Sequence, residues 1–315
     1  PGRFFRINCY LRIMIRLSLV IPTHNRAASL LELLESVVRQ TADPAAWECV
    51  VVDNASTDDT SVRFAAFAAS HPDFNLRMVY EPEPGVSHAR NRGFQEARAA
   101  RVAAVDDDER INEGFVAAYL DFFAAHPDAV VAGGRIVAEY TTARPRWMSK
   151  YTERAIAGTL DLGDRMREFP EGKFFGGGNH GYRRSAVARY GGYDASLGRT
   201  GTVLLAGEEK EFYGRLRAGG EQVVYLPDAV IYHLVEPERL TRAYFVRLCR
   251  NIGRSERRRT RAVARGAFAG RLAAEAVKWA GASVLALGYL LRGRPAQGGY
   301  LLLMRWQITA GLLGA

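Results

Sequence analysis

Glu48-Cys49-Val50-Val51-Val52-Asp53-Asn54-Ala55-Ser56-Thr57-Asp58-Asp59 is the stretch that decides the fold. An apolar run of strand length breaks abruptly into a polar cluster. The run does not alternate, so both of its faces are buried, as in a parallel sheet covered on each side. The same block recurs on either side of it. Leu17 to Ile21 stops at Pro22, Leu76 to Tyr80 is a third run, and Val102 to Val105 ends on Asp106-Asp107-Asp108-Glu109. Helical spacing lies between them, through Leu30, Leu34, Val37 and Val38, through Val62, Phe64 and Phe67, and over Ser87 to Ala99. Ser29 and Glu32 have the spacing of a capping box. The alternation predicts an α/β fold with helices on both faces of the sheet. Its polar clusters fall at the carboxyl ends of strands, where such sheets bind ligands.

Past Asp108 the pattern loosens. Ala129 to Tyr140 reads as one or two strands broken by Gly133-Gly134, and Thr141 to Phe175 as irregular chain. Gly176-Gly177-Gly178, a helix near Arg184 to Tyr190 and a second glycine-rich loop to Gly201 follow. A helix over Glu208 to Ala218 and a strand pair over Gln222 to Tyr232, containing Pro227, complete this part.

The 315 residues are 48% hydrophobic and 24% charged, which excludes a disordered or collagen-like chain. Three scattered cysteines are too few for a disulfide framework or a Cys-based zinc site and fit a reducing cytosol. The net charge of +9 is uneven. Residues 243–315 hold 13 basic side chains and two acidic ones, Glu256 and Glu275, so the first 242 residues carry −2. Residues 1–13, ahead of Met14, are interrupted by arginines, give no signal-peptide pattern and are set aside as a non-native extension.

Four clusters carry chemistry. The carboxylates Asp106 to Glu109 repel one another, and Asp106 and Asp108 point to one side of an extended chain. A divalent cation bridging to a diphosphate would relieve the repulsion; a solvated acidic turn is the alternative. Asp53 is placed to accept hydrogen bonds from a base or ribose, with Ser56, Thr57 and Asp58 as caps of the next helix. Arg90, after Pro84-Gly85, could face the acidic run or a phosphate, or form a plain surface ion pair. Glu208 and Glu209 open a helix after Gly207 and are either a general base or partners of the helix dipole.

In order and spacing, these segments resemble the family 2 glycosyltransferases of the GT-A fold. The matching residues are Leu19 to Arg26, Val51 to Asp58, Pro84-Gly85 with Ala89-Arg90-Asn91-Arg92-Gly93, and Asp106-Asp107-Asp108. Gly178-Asn179 with Arg183-Arg184, Gly191-Gly192-Tyr193-Asp194, Gly207-Glu208-Glu209 and Pro227-Asp228-Ala229 leading to His233 continue the match, over about residues 17–255. The resemblance implies a mixed, mostly parallel sheet in a domain over 14–242, with a nucleotide-binding half (14–110), an acceptor half (111–242) and a helical tail over 243–315. It implies that Pro22, Thr23, Asn25, Arg26, Asp53, Ser56, Arg90, Asp106 and Asp107 line the nucleotide-sugar site. Asp106 and Asp108 would hold Mn²⁺ or Mg²⁺, with His233 as a further ligand, and Gly178 and Asn179 would form an acceptor or phosphate loop. The family's base is usually the Asp of a Glu-Asp pair. Here the pair is Glu208-Glu209, so Glu209 is expected as the base with Glu208 as the fallback.

The implied activity is inverting, metal-dependent transfer of one sugar from a nucleotide-diphospho-sugar, UDP-linked in the first instance, to a hydroxyl of a saccharide or lipid-linked acceptor. Cell-surface polysaccharide or glycolipid assembly is the expected setting. Processive synthases carry Gln-x-x-Arg-Trp after the base, whereas Leu302 stands three before Arg305-Trp306. A sugar nucleotidyltransferase is a rival, although Pro22 to Arg26 lacks its glycine-rich loop, and a degenerate saccharide-binding scaffold is another. The tail, with Arg254, Arg257, Arg258, Arg259, Arg261 and Arg265 ahead of the uncharged Trp279 to Leu291, is expected as a helical hairpin on the cytoplasmic face of the inner membrane. Its apolar run is shorter than the roughly 20 residues of a spanning helix. Packing against the catalytic domain or a dimer face is the alternative, and nucleic acid is not an expected partner.

Overall fold

β1 (Leu17–Thr23) and β2 (Trp47–Asp53) are buried at every position and pair in parallel from Leu17 beside Trp47 to Thr23 beside Asp53. This register aligns their carboxyl ends. The computed structural model describes residues 14–198, 207–263 and 265–314, so the N-terminal extension and the end of the second glycine-rich loop lie outside the described residues. β3 (Leu76–Tyr80) and β4 (Arg101–Ala104) extend the parallel sheet on either side. α1 (Ala27–Val37), α2 (Thr60–Ser70) and α3 (Val86–Glu96) connect these strands. Gly93 of α3 lies so close to β1 that a Cβ there would stand 2.2 Å from Val20 Cγ1.

The second half continues the sheet with mixed directions. β5 (Glu109–Ile111), α4 (Phe115–Ala125), β6 (Val131–Tyr140), α5 (Lys150–Ala157), β7 (Arg167–Glu168), β8 (His180–Arg183), α6 (Arg184–Tyr190), α7 (Glu208–Ala218) and β9 (Val223–Val235) follow. The sheet runs β3-β2-β1-β4-β8-β6-β9-β5, with β7 also on β9. β8 is antiparallel to β4 and β6, while β9 is parallel to β6.

Three local readings are corrected. Gly133-Gly134 do not break β6. They admit neighbours, since a Cβ on Gly134 would meet Ala229 O at 2.1 Å and one on Gly133 would meet Phe175 Cβ at 2.5 Å. Residues 223–232 are not a strand pair but part of the single β9. Pro227 falls where the register jumps from Gly134–Leu226 to Arg135–Val230, so no ladder bond is required of it. Ser29 lies inside α1 rather than capping it. The reciprocal cap belongs to α5, where Ser149 N donates to Thr152 Oγ1 (2.8 Å) and Thr152 N to Ser149 Oγ (3.4 Å). Threonine in place of Glu or Gln hid that helix in the sequence.

Among the described residues the tail is α8 (Arg242–Val263), α9 (Arg265–Leu291) and α10 (Pro295–Leu313). α9 and α10 form the expected hairpin, with Trp279 Nε1 donating to Thr309 Oγ1 across it (2.9 Å), and α8 precedes it as a third helix. It packs on the domain through a second apolar cluster that includes Met148, Ile156, Val235, Phe245, Leu248, Met304 and Ile308. Trp147 stacks on Tyr300 with ring centroids 4.1 Å apart. Gly253 and Gly311 let α8 and α10 touch backbone to backbone, each lacking a Cβ that would sit 2.1 Å from a carbonyl of the other helix. The inner side of the tail is thus protein-covered. Among the described residues no helix is long and apolar enough to cross a membrane.

Candidate functional site

The carboxyl ends of β1, β2 and β4 carry the polar residues that the sequence places there. Past β4 the chain turns back into β5, and this turn gathers oxygens of Asp106, Asp108 and Glu109 within 4.8 Å of one another. Asp106 N donates to Glu109 Oε2 (3.0 Å), which closes the turn. All three donors are hard carboxylate oxygens, the set that Mg²⁺ and Mn²⁺ favour, so the residues fit the expected cation.

Arginines surround the cluster. Arg26 Nη1 lies 3.1 Å from both Asp107 Oδ1 and Asp108 Oδ2, and Thr23 Oγ1 donates to Asp107 Oδ2 at 2.8 Å. Arg239 Nη2 pairs with Asp108. Arg90, fully buried, donates from Nη2 to Asp106 Oδ1 (2.6 Å) and from Nη1 to Glu208 Oε1 and Glu209 Oε1 (3.1 Å each). One guanidinium therefore joins the acidic turn to the glutamate pair at the start of α7.

Protonation follows from this arrangement. Burial, with repulsion from Asp106 and Asp108, raises the Glu109 carboxyl well above its ordinary range. Burial also lifts Asp107 to about 7, against the pull of Arg26. At Asp108 burial is outweighed by His233, Arg239 and Arg26, which hold the carboxyl well below its usual value. Burial and the neighbouring Glu209 raise Glu208 to about 8. Both effects favour the protonated form of Glu208. Glu209 is the more exposed of the two, at 16% against 3%.

The glycine run lies directly on this site. A Cβ on Gly177 would fall 2.1 Å from Glu209 Oε1 and 2.6 Å from Arg90 Nη2, and one on Gly178 would fall 2.0 Å from Glu109 Oε1. Asn179, expected beside it in an acceptor loop, is wholly buried. It accepts from Tyr119 Oη (2.8 Å) and donates to the carbonyls of Arg135 and Ala229 (2.8 Å each), so it is a tether of the sheet.

His233, expected as a further ligand, is not brought into the oxygen group. Its Nδ1 donates to Ala157 O (2.8 Å), and its Nε2 lies 2.7 Å from Arg239 Nη1 and 3.7 Å from Asp108 Oδ2. Glu109 is the third carboxylate instead. It stands inside the acidic run, so the run itself was the available signal.

At the carboxyl ends of β1 and β2, Asp53 accepts from Ser56 N (3.0 Å), and Pro22 is buried in β1 opposite Val52. Asn25, at φ 51°, accepts from Thr57 N (2.6 Å) and Asp58 N (3.2 Å), and its own N–H reaches Ser56 Oγ (2.9 Å). Asn25 and Ser56 thus tie the two strand-end loops together. The expected caps differ: Asp58 alone serves α2, taking Thr60 N at 3.1 Å. Asn54 was missed. It fastens Gly85 to this end through Oδ1 (2.7 Å) and donates to Glu81 O and Glu83 O.

Comparison with known proteins agrees with this geometry. Residues 18–191, more than half of the chain, match the model of glycosyl transferase family 2. The chain belongs to that family. It is an enzyme of the glycosyltransferase class. A glucosyl-dolichyl phosphate glucuronosyltransferase of Haloferax volcanii is 26% identical over 231 residues, covering 70% of this chain and 69% of the relative. Among solved structures, the mannosyltransferase PcManGT of Pyrobaculum calidifontis, in complex with GDP-Man and Mn²⁺, superposes with a TM-score of 0.59 at 20% identity, over 93% of this chain and 87% of that one. S. aureus TarS 1–349 in complex with UDP gives 0.52 at 21% identity, over 76% and 65%. These similarities establish the GT-A fold, a mixed sheet followed here by a helical C-terminal region.

Proposed function

We propose that this transferase moves one sugar from a nucleotide-diphospho-sugar, UDP-linked in the first instance, to a hydroxyl acceptor with inversion at the anomeric carbon, and that it depends on Mn²⁺ or Mg²⁺. The observation that carries the reading is Arg90, whose two arms hold Asp106 and the Glu208-Glu209 pair. The diphosphate end and the proton acceptor are then one side chain apart. Asp106, Asp108 and Glu109 would hold the cation, which when bound offsets charge growing on the departing diphosphate. Asp53, Pro22 and Thr23 line the nucleotide end, with Arg26 fixing Asp107 and Asp108. Glu209 takes the acceptor proton, and Glu208, protonated, shares the same guanidinium without adding a second charge. Arg305 pairs with Glu275 inside the tail, which supports a single transfer per visit over processive synthesis.

A lipid-linked acceptor suits the tail. The outer face of α9 exposes Val277, Val284, Leu287, Leu290 and Leu291, with Arg292 and Arg294 at its end. We place this face on an anionic membrane surface, the cytoplasmic leaflet, in cell-surface polysaccharide or glycolipid assembly. The deciding experiment is nucleotide release from UDP-, GDP- and dTDP-sugars with and without Mn²⁺. Manganese-dependent release from one donor class is expected, and no release from any of them would overturn the transferase reading.

A further inference from the structure

The two carboxylates among residues 243–315, Glu256 and Glu275, are 8% and 2% exposed, while Arg254, Arg258 and Arg261 of α8 face outward. Glu256 Oε2 receives Arg271 of α9 (3.0 Å) and Arg259 of its own helix (3.1 Å), and Glu275 receives Arg271 (2.8 Å) and Arg305 of α10 (3.2 Å). The fourth cation comes from outside the tail. Lys210 Nζ lies 2.8 Å from Glu256 Oε1. Lys210 is the third residue of α7, directly after Glu208 and Glu209. Its ammonium also stands 5.7 Å from the ring centroid of Phe174, just ahead of the glycine run that lies on Glu209. The first turn of α7 has no side-chain cap and is entered through Gly207 at φ 129°.

From this juxtaposition we infer that Glu256 is a positioning residue of the active site: through Lys210 it fixes the first turn of α7, and with it the carboxylate of Glu209. The inference rests on the transferase reading above. A buried ion pair adds little net stability, because desolvation offsets its attraction, but it restricts geometry. A base displaced by about 1 Å loses on the order of 100-fold in rate. Surrounding cations, against the effect of burial, hold Glu256 down at about 2, so its carboxylate stays charged at neutral pH, while burial lowers the Lys210 ammonium from its ordinary value. The inner side of the tail is then part of the catalytic apparatus, whatever its outer face meets.

The test uses the full chain with Lys210→Met, Lys210→Arg and Glu256→Gln, and the donor that the wild type turns over. Lys210→Met and Glu256→Gln are expected to lower kcat by about 10- to 100-fold, with the donor KM within about twofold. Lys210→Arg should restore most of kcat. Amide exchange in residues 208–213 should quicken in Lys210→Met alone of the two Lys210 variants. Because Glu256→Gln takes the charged partner from Arg259 and leaves Arg271 with Glu275 alone, Lys210→Met carries the decision if that variant fails to fold. An unchanged kcat and exchange rate in Lys210→Met, or a donor KM that rises in step with the fall in rate, would overturn the inference and leave the transferase reading standing. A wild type that turns over no donor would remove both.

Discussion

Gly177 passes so close to Glu209 that a Cβ on it would sit 2.1 Å from the Glu209 carboxylate. The glycine run is therefore a wall of the site, and its side-chain-free backbone sets where the expected base can stand.

Gly177→Ala should depress sugar transfer at least about 100-fold by displacing Glu209 and Arg90 together. Gly114→Ala, where the nearest atom to a new Cβ is 3.7 Å away, should leave the rate unchanged. Nucleotide release by both variants checks this, and equal rates would show that Glu209 needs no such wall.

Residues 17–105 were legible in the sequence because each strand is an apolar block that ends at a polar cluster, and local burial sets both its limits. Between 111 and 242 the helix Glu208–Ala218 was legible too. Most of the rest of that stretch was not, since its groups are fixed by partners far along the chain. Asn179 reads as a loop residue until Tyr119, Arg135 and Ala229 close around it. Arg239 is an ordinary arginine until it reaches Asp108, across 131 positions. Lys210 likewise finds Glu256 only in three dimensions.

Arg90 is buried against three carboxylates, and removing it leaves them facing one another. Arg90→Met should cost about 3–5 kcal/mol of stability and abolish donor turnover. Arg90→Lys should fold better yet stay inactive, because one ammonium cannot span Asp106 and the glutamate pair. Denaturant unfolding with a parallel rate assay decides it. A fully active Lys variant would remove the bridge from the mechanism.

Glu208 gives a pH dependence of definite sign. Its carboxyl is raised from 4.5 to about 8 in the folded chain, by burial first and then by Glu209. The folded state thus binds the proton more tightly than the unfolded one. The stabilisation is complete below 4.5 and is lost as pH rises through about 8. Glu208→Gln keeps an acceptor for Arg90 and cannot ionise. Its melting temperature relative to wild type should climb between pH 5 and pH 9, and a flat difference would mean that Glu208 is already ionised at neutral pH.

Asp108→Asn should weaken Mn²⁺-dependent binding of UDP or GDP in calorimetry by at least tenfold, because the substitution removes a charged oxygen from the group and leaves Arg26 and Arg239 in place. Chelation of the metal should reproduce the loss in the wild type. Binding that is indifferent to both would show that the arginines alone hold the diphosphate.

The tail must be tested by point substitution rather than by cutting the chain. Removing residues after Asn251 would uncover Phe245 and Leu248 and delete Glu256, so lost flotation could mean lost folding. Val284 and Leu287 are 73% and 57% exposed, and neither belongs to the apolar clusters that hold the domain together. Val284→Glu with Leu287→Glu should therefore leave melting within about 2 °C of wild type, as exposed substitutions usually do. The same pair places two charges in the middle of the face assigned to lipid, where each opposes insertion and repels anionic headgroups. The wild type should float with vesicles containing phosphatidylglycerol, less so at high salt, because Arg292 and Arg294 supply the electrostatic part. The double variant should remain at the bottom of the gradient. Equal flotation of the two proteins, or none from either, would assign the outer face of α9 to a protein partner instead.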